Sequence, residues 1–329
     1  MKILLVNNSQ IPVTRYGGTE RVIWYLGKEL TKLGHEVTYL VKSGSTCPFA
    51  HVIAIDPQRS IVAQIPDKID VVHFHFCPKD LHLLKKPYLI TMHGNSNDAA
   101  ELDINTVFVS QNHANRYGSN AFIYNGLDWN DYQKPVLNAP RNHFHFLGNA
   151  AWKVKNIKGS IALIQAAKNE RLKVLGGVRF NFKMGLRFTF SPKIDFLGMV
   201  GGSQKYEVLN GSKGLVFPVL WHEPFGLAII ESLYYGCPVF GTPYGSLPEL
   251  VGAEYGYLSN QKKDLVAALQ TAPSFSANRC HEYARTQFNS QKMCLAYLQK
   301  YEQVCANQPM NAQKPRLLQI QDQKLLDWV

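Results

Sequence analysis

Short apolar runs alternate with helical patterns along most of the chain, and the alternation occurs in two series. The runs have the length and the β-branched content of strands, and the segments between them repeat with helical spacing. Such alternation is typical of parallel sheets that are covered by helices. The first series predicts strands at KILLVN, EVTYLV, HVIAI, DVVHFH, YLITMH, TVFVS and AFIYN, with a helix from about Gly18 to Leu33 after the first strand.

The second series starts after a break near LNAPRN, residues 137–142. It predicts strands at HFHFLG, LKVLGG, IDFLG, GLVFP and PVFGT, with helices from about Gly159 to Lys168, after Pro224, and onward to about Cys305. We therefore expect an α/β fold with two Rossmann-like, doubly wound domains. Their expected bounds are 1–140 and 141–305, with the last helices packing back on the first domain and a tail at 306–329.

Composition supports a packed, soluble protein. The chain is 46% hydrophobic and 18% charged, which provides ample apolar material for two cores and argues against disorder. No run is long and apolar enough for a transmembrane helix, and MKILLVNN is too short for a secretory signal. The six cysteines form no CxxC pair, so we expect reduced thiols and a cytoplasmic location.

The net charge of +11 is unevenly distributed. Residues 1–140 carry 13 Lys+Arg and 12 Asp+Glu, a net of +1, so the rest of the chain carries +10. Within 153–193 there are ten basic residues and the single acid Glu170. The basic residues are Lys153, Lys155, Lys158, Lys168, Arg171, Lys173, Arg179, Lys183, Arg187 and Lys193. This run indicates either a phosphate-binding or anionic partner or an ordinary solvated face.

The loop after the first predicted strand contains two adjacent glycines. Gly17 and Gly18 would let the backbone approach a ligand closely, and they open a helix whose first amides have no helical partner. A plain loop with a helix cap explains the pair equally well. The chain contains neither a GxGxxG fingerprint nor a GxxxxGK[ST] phosphate loop, which argues against dinucleotide-binding and P-loop proteins.

The segment WHEPFGLAIIE places two glutamates around a helix start. Pro224 is favoured as a first helical residue, so the amides of Phe225, Gly226 and Leu227 would suit a phosphate or a sugar hydroxyl. Glu223 at the mouth of the helix can accept hydrogen bonds from sugar hydroxyls, and Glu231 can bind a vicinal diol such as ribose. The alternative is that Glu223 only caps the helix and Glu231 is a surface residue.

One strand of the first series also offers a candidate metal site. His73, His75 and Cys77 alternate along a predicted strand and share one face, so they could bind zinc or copper. Packing residues at a strand end are the commoner explanation. There is no DxD motif, and Glu101-Leu-Asp103 is the nearest approach to one. We therefore expect no metal.

Several segments together resemble the retaining GT-B glycosyltransferases of family-4 type, the glycosyl transferases group 1. HEPFGLAIIESLYYGCPVFGTPYGSLPELV resembles the E-x7-E signature of that family over about thirty residues. GGTERVIWYLGKELTKLGHEVTYLV, DVVHFH, TMHGN and YNGLD resemble its other segments, so the likeness extends to about residue 305. The resemblance implies two Rossmann-like domains that face each other across a cleft.

The resemblance also implies roles for individual residues. Glu231 would bind the nucleotide ribose, Glu223 the transferred sugar, and Phe225, Gly226 and Leu227 would supply backbone donors. Gly17 and Gly18 would face the diphosphate, and His93 would face the reacting sugar or the acceptor. The G-R-x(4)-K-G phosphate motif of the family is altered to GNAAWKVKNIKG, with Asn149 in place of the arginine. Lys158 is assigned to its lysine because SIALIQAA follows in register; Lys153 or Lys155 could replace the arginine.

The expected activity is metal-independent, cofactor-free hexosyl transfer with retention, from a nucleotide-diphosphate sugar such as a UDP- or GDP-sugar. The acceptor would be a saccharide or lipid-linked hydroxyl in cell-surface glycan, polysaccharide or lipopolysaccharide synthesis. Peripheral contact with the inner face of the membrane is expected, and no nucleic acid partner. Two alternatives stay open: a non-catalytic nucleotide-sugar binder, or a GT-B sugar epimerase or phosphorylase.

Overall fold

The computed structural model describes residues 1–13, 17–182 and 187–329. Residues 14–16 and 183–186, which include Lys183 of the basic run, lie outside the described residues. The described chain divides into two compact units. Unit 1 comprises Met1–Val13, Gly17–Trp129 and Phe288–Gln321, and unit 2 comprises the described residues of Asn130–Gln287 together with Asp322–Val329.

Unit 1 is built on a six-stranded parallel sheet. Its strands are β1 (Lys2–Val6), β2 (Glu36–Val41), β3 (His51–Ala54), β4 (Val71–Phe74), β5 (Tyr88–Met92) and β6 (Thr106–Phe108). Their order in the sheet is β3-β2-β1-β4-β5-β6, so the chain reverses direction across the sheet beside β1. The helices of unit 1 are α1 (Gly18–Lys32), α2 (Gln111–Arg116) and, near the end of the chain, α9 (Ser290–Cys305). This is the doubly wound arrangement predicted for the first series.

Helix α1 forms because its apolar residues lie along one side. Val22, Ile23, Leu26 and Leu30 are buried and recur at helical spacing. Strand β1 is almost entirely buried, as expected for a central strand of a parallel sheet covered on both faces. The predicted helix and the predicted strand are thus confirmed.

Unit 2 contains a second six-stranded parallel sheet. Its strands are β7 (His143–Leu147), β8 (Leu172–Leu175), β11 (Ile194–Phe196), β12 (Ser212–Phe217), β13 (Val239–Gly241) and β14 (Gly256–Leu258). They are ordered β11-β8-β7-β12-β13-β14. Its helices are α3 (Ile157–Ala166), α4 (Gly202–Asn210), α5 (Leu227–Tyr234), α6 (Leu247–Leu250), α7 (Lys262–Leu269) and α8 (Ala277–Gln287). The predicted fold class, two doubly wound α/β domains, is therefore confirmed.

Unit 2 also contains a small antiparallel pair that the sequence did not predict. Strand β9 (Phe180–Asn181) pairs with β10 (Arg187–Phe188), and both follow β8 in the chain. Two-residue strands are too short to produce a readable alternation. This pair replaces the helix that a doubly wound domain commonly places between neighbouring strands.

Two further strands differ from the prediction: one predicted strand is absent from the described residues, and one observed strand was missed. AFIYN, residues 121–125, is not a strand: it makes one isolated bridge, between Phe108 and Phe122. Strand β14 was missed because Gly256 opens it, and glycine normally weakens a strand. A β-carbon at Gly256 would lie 2.0 Å from the carbonyl oxygen of Val239, so glycine is required for the approach to β13.

The longest described helix, α9, has 16 residues, and it is amphipathic rather than uniformly apolar. Among the helices of the described ranges, none is both long and apolar enough to cross a bilayer.

His145 lies at the centre of the second sheet and is completely buried. One ring nitrogen, Nδ1, lies 2.6 Å from Ser212 Oγ, and the other, Nε2, lies 2.8 Å from Ser232 Oγ. These contacts connect β7 to β12 and to α5. Burial lowers the pKa of His145 to about 3, so the folded protein holds this ring neutral at pH 7.

We predict that unit 2 loses stability on acidification because of this ring. The unfolded chain binds a proton below about pH 6.5, whereas the folded chain does not until about pH 3, so stability falls as the pH drops through that window. Between pH 7 and pH 5, His145 alone should lower the free energy of unfolding by about 2 kcal/mol. Urea titrations at the two pH values measure the change.

His145→Gln should weaken that pH dependence, whereas His51→Gln, at an exposed site, should leave it intact. Equal pH dependence in both variants would contradict the assignment to His145.

Candidate functional site

The candidate site lies at the carboxyl edge of the second sheet, where the loops after β7 and β12 meet. These two strands are parallel neighbours, so their following loops emerge at the same edge. The Leu220 amide donates to the Val154 carbonyl at 2.8 Å, and Asn156 Nδ2 donates to the Pro218 carbonyl at 2.9 Å. These hydrogen bonds join the two loops to each other without any contribution from a ligand.

Lys155 and Glu223 form a buried ion pair between those loops. Lys155 Nζ lies 2.6 Å from Glu223 Oε2, and the two residues are 8% and 5% exposed. Trp221 Nε1 donates to the same carboxylate oxygen at 2.8 Å. The ammonium also lies 5.2 Å from the ring centroid of Phe217 and 5.0 Å from that of Trp221, within cation–π range. Glu223 is therefore held in one orientation rather than capping a helix, and the capping explanation is wrong.

The helix after Glu223 begins later than the sequence predicts. Helix α5 starts at Leu227, not at Pro224, because Gly226 has a φ of +86°, a left-handed conformation that a helix cannot contain. Phe225 and Gly226 therefore precede the helix, and only Leu227 among the three predicted amide donors belongs to its first turn. The Ile229 amide already bonds the Gly226 carbonyl at 2.9 Å.

The loop after β13 packs tightly on the glutamate loop. Gly245 has a φ of +65°, and a β-carbon there would lie 2.2 Å from the Glu223 amide nitrogen. The Ser246 amide donates to the Glu223 carbonyl at 2.9 Å, and Ser246 Oγ donates to the Phe225 carbonyl at 2.7 Å. Residues of the GTPYGS segment thus pack against and hydrogen-bond to the backbone of Glu223 and Phe225.

Glu231, the second glutamate, is the fifth residue of α5 and is 2% exposed. Lys205 Nζ lies 2.6 Å from Glu231 Oε1, and the Tyr132 hydroxyl donates to the same oxygen at 2.9 Å. Lys205 also lies over the rings of Tyr132 and Tyr206, at 5.2 and 5.4 Å from their centroids. Glu231 is therefore a buried, oriented carboxylate, and the surface-residue explanation is wrong.

Lys205 and Tyr132 were missed by the sequence analysis. Lys205 belongs to the nine-residue helix α4, in which a lysine normally lies on the solvated side. Tyr132 follows NGLDWND, four residues after the end of the YNGLD segment. No local sequence motif indicates either residue. The one signal in the sequence is indirect: if Glu231 is buried, it requires a cationic partner.

In the altered phosphate loop, GNAAWKVKNIKG, the side chains lie in positions that the sequence did not predict. The side chain of Asn149 accepts the Ala151 amide at 3.0 Å, so it shapes a turn and adds no charge. Lys153 and Lys158 are exposed, and of the three predicted lysines only Lys155 is buried against Glu223. Gly159 packs on the capping side chain of Asn156, which a β-carbon would approach to 2.3 Å.

The remaining predicted residues, Gly17, Gly18 and His93, lie in unit 1. Gly17, with a φ of +154°, precedes α1, and Gly18 is the first residue of that helix. A β-carbon at Gly17 would lie 2.7 Å from Val13 Cγ2, so this position is closely packed. His93 follows β5 directly, at the carboxyl edge of the first sheet.

His93 is part of a histidine chain in unit 1. Its Nε2 lies 2.9 Å from His75 Nδ1, and the His75 ring packs 4.1 Å from that of His73. His73 in turn contacts the Tyr301 hydroxyl at 2.9 Å and Thr91 Oγ1 at 2.8 Å. Burial lowers the pKa of His93 to about 4, so at pH 7 it can exchange hydrogen bonds with a hydroxyl but carries no charge.

The contacts of His73 also test the hypothesis that His73, His75 and Cys77 bind zinc or copper. His73 uses both ring nitrogens in the contacts to Tyr301 and Thr91, which leaves neither of them to a metal ion. Across the described ranges, no group of three or more His, Cys, Asp or Glu side chains is arranged to hold a metal ion.

Comparison with known proteins connects this geometry to a family. Residues 128–287 match the family described as Glycosyl transferases group 1. No match to the chain is found among curated proteins.

Solved structures share the fold over about nine-tenths of the chain. AviGT4, a glycosyltransferase involved in avilamycin A biosynthesis, is 20% identical, with a TM-score of 0.74 over 93% of this chain and 98% of its own. Anabaena Alr3699/HepE, solved in complex with UDP and glucose, is 15% identical, with a TM-score of 0.66 over 92% and 99%. WaaG, a glycosyltransferase involved in lipopolysaccharide biosynthesis, is 15% identical, with a TM-score of 0.58 over 90% and 99%. The chain thus has the GT-B fold, and residues 128–287, which carry Glu223 and Glu231, are similar to the glycosyl transferases group 1 family.

Proposed function

We propose that the protein transfers a hexose from a nucleotide-diphosphate sugar to a hydroxyl acceptor with retention of anomeric configuration. The observation that carries this proposal is the pair of buried glutamates, eight residues apart, each oriented by a buried lysine at one edge of the second sheet. The E-x7-E spacing and the family match of residues 128–287 support the same chemistry. The UDP complex of HepE supports a UDP-sugar as one donor to test, beside GDP-sugars.

We assign the nucleotide ribose to Glu231. A carboxylate can accept about four hydrogen bonds, so a vicinal diol can add to the contacts from Lys205 and Tyr132. Because both partners are rigidly packed, the carboxylate would be oriented for the diol before the donor binds, and little entropy would be lost on binding.

We assign the transferred sugar to Glu223 and the leaving diphosphate to the lysine loop. Breaking the sugar–phosphate bond places negative charge on the departing diphosphate, which cations and amides can stabilise. Lys155 brings a buried cation to this edge, while Lys153 in the same loop and Lys158 in the first turn of α3 add positive charge from solvated positions. The neutral Asn149 would leave this task to the lysines, and Leu227 at the start of α5 would add an amide.

Retention would follow from attack on the same face of the sugar that the diphosphate leaves. The departing phosphate would accept the proton of the acceptor hydroxyl, so no enzyme nucleophile is required. The neutral ring of His93 suits a hydrogen bond with the sugar or the acceptor, as the family resemblance implies.

We further propose that the acceptor is a saccharide or a lipid-linked hydroxyl in cell-surface polysaccharide, lipopolysaccharide or glycolipid synthesis. A cytoplasmic enzyme of this kind would reach a lipid-linked acceptor by peripheral contact with the inner face of the membrane. The basic surface of unit 2 supports that contact, since cytoplasmic leaflets carry anionic lipids.

One observation favours a second function, a nucleotide-sugar binder without turnover. Asn149 stands where the family has an arginine, and its side chain is engaged in a turn. Incubation with UDP-, GDP- and ADP-sugars and a cell glycolipid extract separates the two. Transfer with an unchanged anomer, established by the proton coupling of the product, supports the enzyme; tight donor binding without product supports the binder.

Removing the Glu231 carboxylate tests the ribose assignment. We predict that Glu231→Ala lowers donor affinity by about 100-fold or more, because two hydrogen bonds to a charged acceptor contribute roughly 1.5–3 kcal/mol each. Calorimetric titration with the nucleotide diphosphate measures the loss. Glu254→Ala, at an exposed acid of the same unit, should bind donor normally; equal affinity in both variants would refute the role.

Lys155 and Lys158 can be distinguished kinetically. We predict that Lys155→Ala lowers kcat by about 30- to 1,000-fold and raises KM less, because the charge it meets grows in the transition state. Lys158→Ala, at an exposed site, should lower kcat by only about twofold to tenfold, since solvent and salt screen its charge.

Removal of Lys155 also leaves Glu223 without its buried cation, so loss of activity must be separated from loss of fold. The double variant Lys155→Met with Glu223→Gln replaces the ion pair by neutral side chains of similar size. It should melt close to the wild type and remain inactive. An active double variant, or full activity after alanine replacement of Lys153, Lys155 and Lys158 together, would exclude the lysine loop from catalysis.

Metal independence is a separate prediction. If lysines and amides neutralise the diphosphate, transfer should persist in excess EDTA, with a rate within about twofold of the untreated enzyme. Loss of turnover with EDTA and recovery with Mn²⁺ or Mg²⁺ would show that a divalent ion performs this task.

A further inference from the structure

The strands β9 and β10 present an apolar face to solvent. Phe182 and Phe190 are 70% and 79% exposed, and Phe180 and Phe188 are about half exposed. The four rings contact one another: Phe188 lies 6.0 Å from Phe180 and 5.6 Å from Phe182, and Phe190 lies 5.7 Å from Phe180, measured between centroids. We call these four residues the aromatic face. Val178, two residues before Phe180 in the chain, is exposed as well.

The opposite face of the same strands is polar and turned inward. Arg187 and Thr189 are 7% and 6% exposed, and they alternate with the exposed phenylalanines of their strand. The Arg187 guanidinium lies 4.6 Å from the Phe196 ring centroid and donates to the Val178 carbonyl at 2.9 Å. Burial lowers the pKa of Arg187. The usual amphipathic arrangement is therefore reversed, with arginine inside and phenylalanine outside.

Hydrogen bonds fix this reversed arrangement. Arg179 donates to the carbonyls of Thr189 at 2.9 Å, of Ser191 at 3.2 Å and of Ile194 at 2.6 Å. The Thr189 amide donates to the Arg179 carbonyl at 3.2 Å. A one-residue change of register would bury the phenylalanines, but it would break these bonds and expose the inner arginines. The aromatic face is thus held outward by the arginines beneath it.

The basic residues around the aromatic face indicate which kind of partner it binds. Residues 171–194 contain six Lys and Arg residues and no Asp or Glu, although Arg179 and Arg187 lie beneath the face and Arg171 pairs with Asp195. Unit 2 as a whole carries more basic than acidic residues. A second copy of the chain would bring like charges together, which opposes association through this face. Phenylalanine side chains flanked by cations are typical of surfaces that insert into the headgroup region of an anionic bilayer.

We propose that the aromatic face is a membrane-docking element that inserts its phenylalanines into the interface of an anionic lipid bilayer. The proposal rests on the proposed function for its purpose, since a membrane-docked transferase reaches lipid-linked hydroxyls. It gives the expected peripheral contact a definite place, in unit 2 between β8 and β11.

Sedimentation with vesicles tests the proposal independently of catalysis. The full chain is mixed with vesicles of equal parts phosphatidylglycerol and phosphatidylcholine, or of phosphatidylcholine alone. We expect cosedimentation with the anionic vesicles and weaker binding at high salt. Phe182→Ser with Phe190→Ser should lower the partition coefficient by about 30-fold or more, since each change removes a large apolar side chain from the bilayer.

The matched control is Leu83→Ser with Leu295→Ser, which removes two exposed apolar side chains from unit 1. It should sediment with vesicles like the wild type. Donor binding by calorimetry should be unchanged in the phenylalanine variant, which separates failure of this proposal from failure of the proposed transfer. A Phe182→Trp variant adds a direct signal: its fluorescence should shift to the blue when anionic vesicles are added.

Three outcomes would overturn the proposal. The wild type could fail to bind anionic vesicles at low salt, or bind them equally well after the phenylalanine substitutions. Alternatively, sedimentation analysis could show a dimer that the phenylalanine substitutions dissociate, which would assign the face to a second copy of the chain.

Discussion

The candidate site depends on the burial of two carboxylates beside two lysines. A charge removed from water is costly unless an opposite charge and hydrogen bonds compensate for it. Glu223 has Lys155 and Trp221, and Glu231 has Lys205 and Tyr132. A hydrophobic substitute would stabilise such a site at least as well, so stability alone does not explain why charged groups are retained here. The proposed function accounts for them, because an oriented carboxylate loses little freedom when it accepts hydroxyls.

The parallel sheet provides the geometry that this chemistry requires. Adjacent parallel strands deliver their loops to one edge, which is why residues 68 positions apart, Lys155 and Glu223, can form one ion pair. Glycines then permit backbone packing that no other residue allows: Gly245 against Glu223, and Gly176 against the carbonyl of Gly148, where a β-carbon would lie 2.0 Å away. The loops are thus close-packed supports, and their polar side chains are held rather than mobile.

The same unit reverses the usual arrangement at its antiparallel pair. The arginines beneath the aromatic face have their charges compensated by backbone carbonyls and by the ring of Phe196. The outward phenylalanines are not compensated within the described chain. An internal polar support and an external apolar face are what an interfacial binding element needs, because the apolar side chains must remain exposed until the bilayer covers them.

The pattern of hydrophobic residues by itself determined the two sheets, most of their strands, and the segment that carries both glutamates. It could do so because strands that are buried between helices consist of short runs of apolar residues. It failed where the deciding contact was distant. Gly256 could enter a strand only because Val239 approaches it, and α5 began at Leu227 only because Gly226 is held left-handed. Likewise, the sequence assigned Lys158 to the family's lysine and left Lys153 or Lys155 to replace the arginine, whereas the position of Glu223 after β12 selects Lys155 as the buried partner. Lys205 and Tyr132 became partners of Glu231 in the same way. Side-chain pairing between separate strands and helices is a property of the folded packing, so tertiary structure alone decided it.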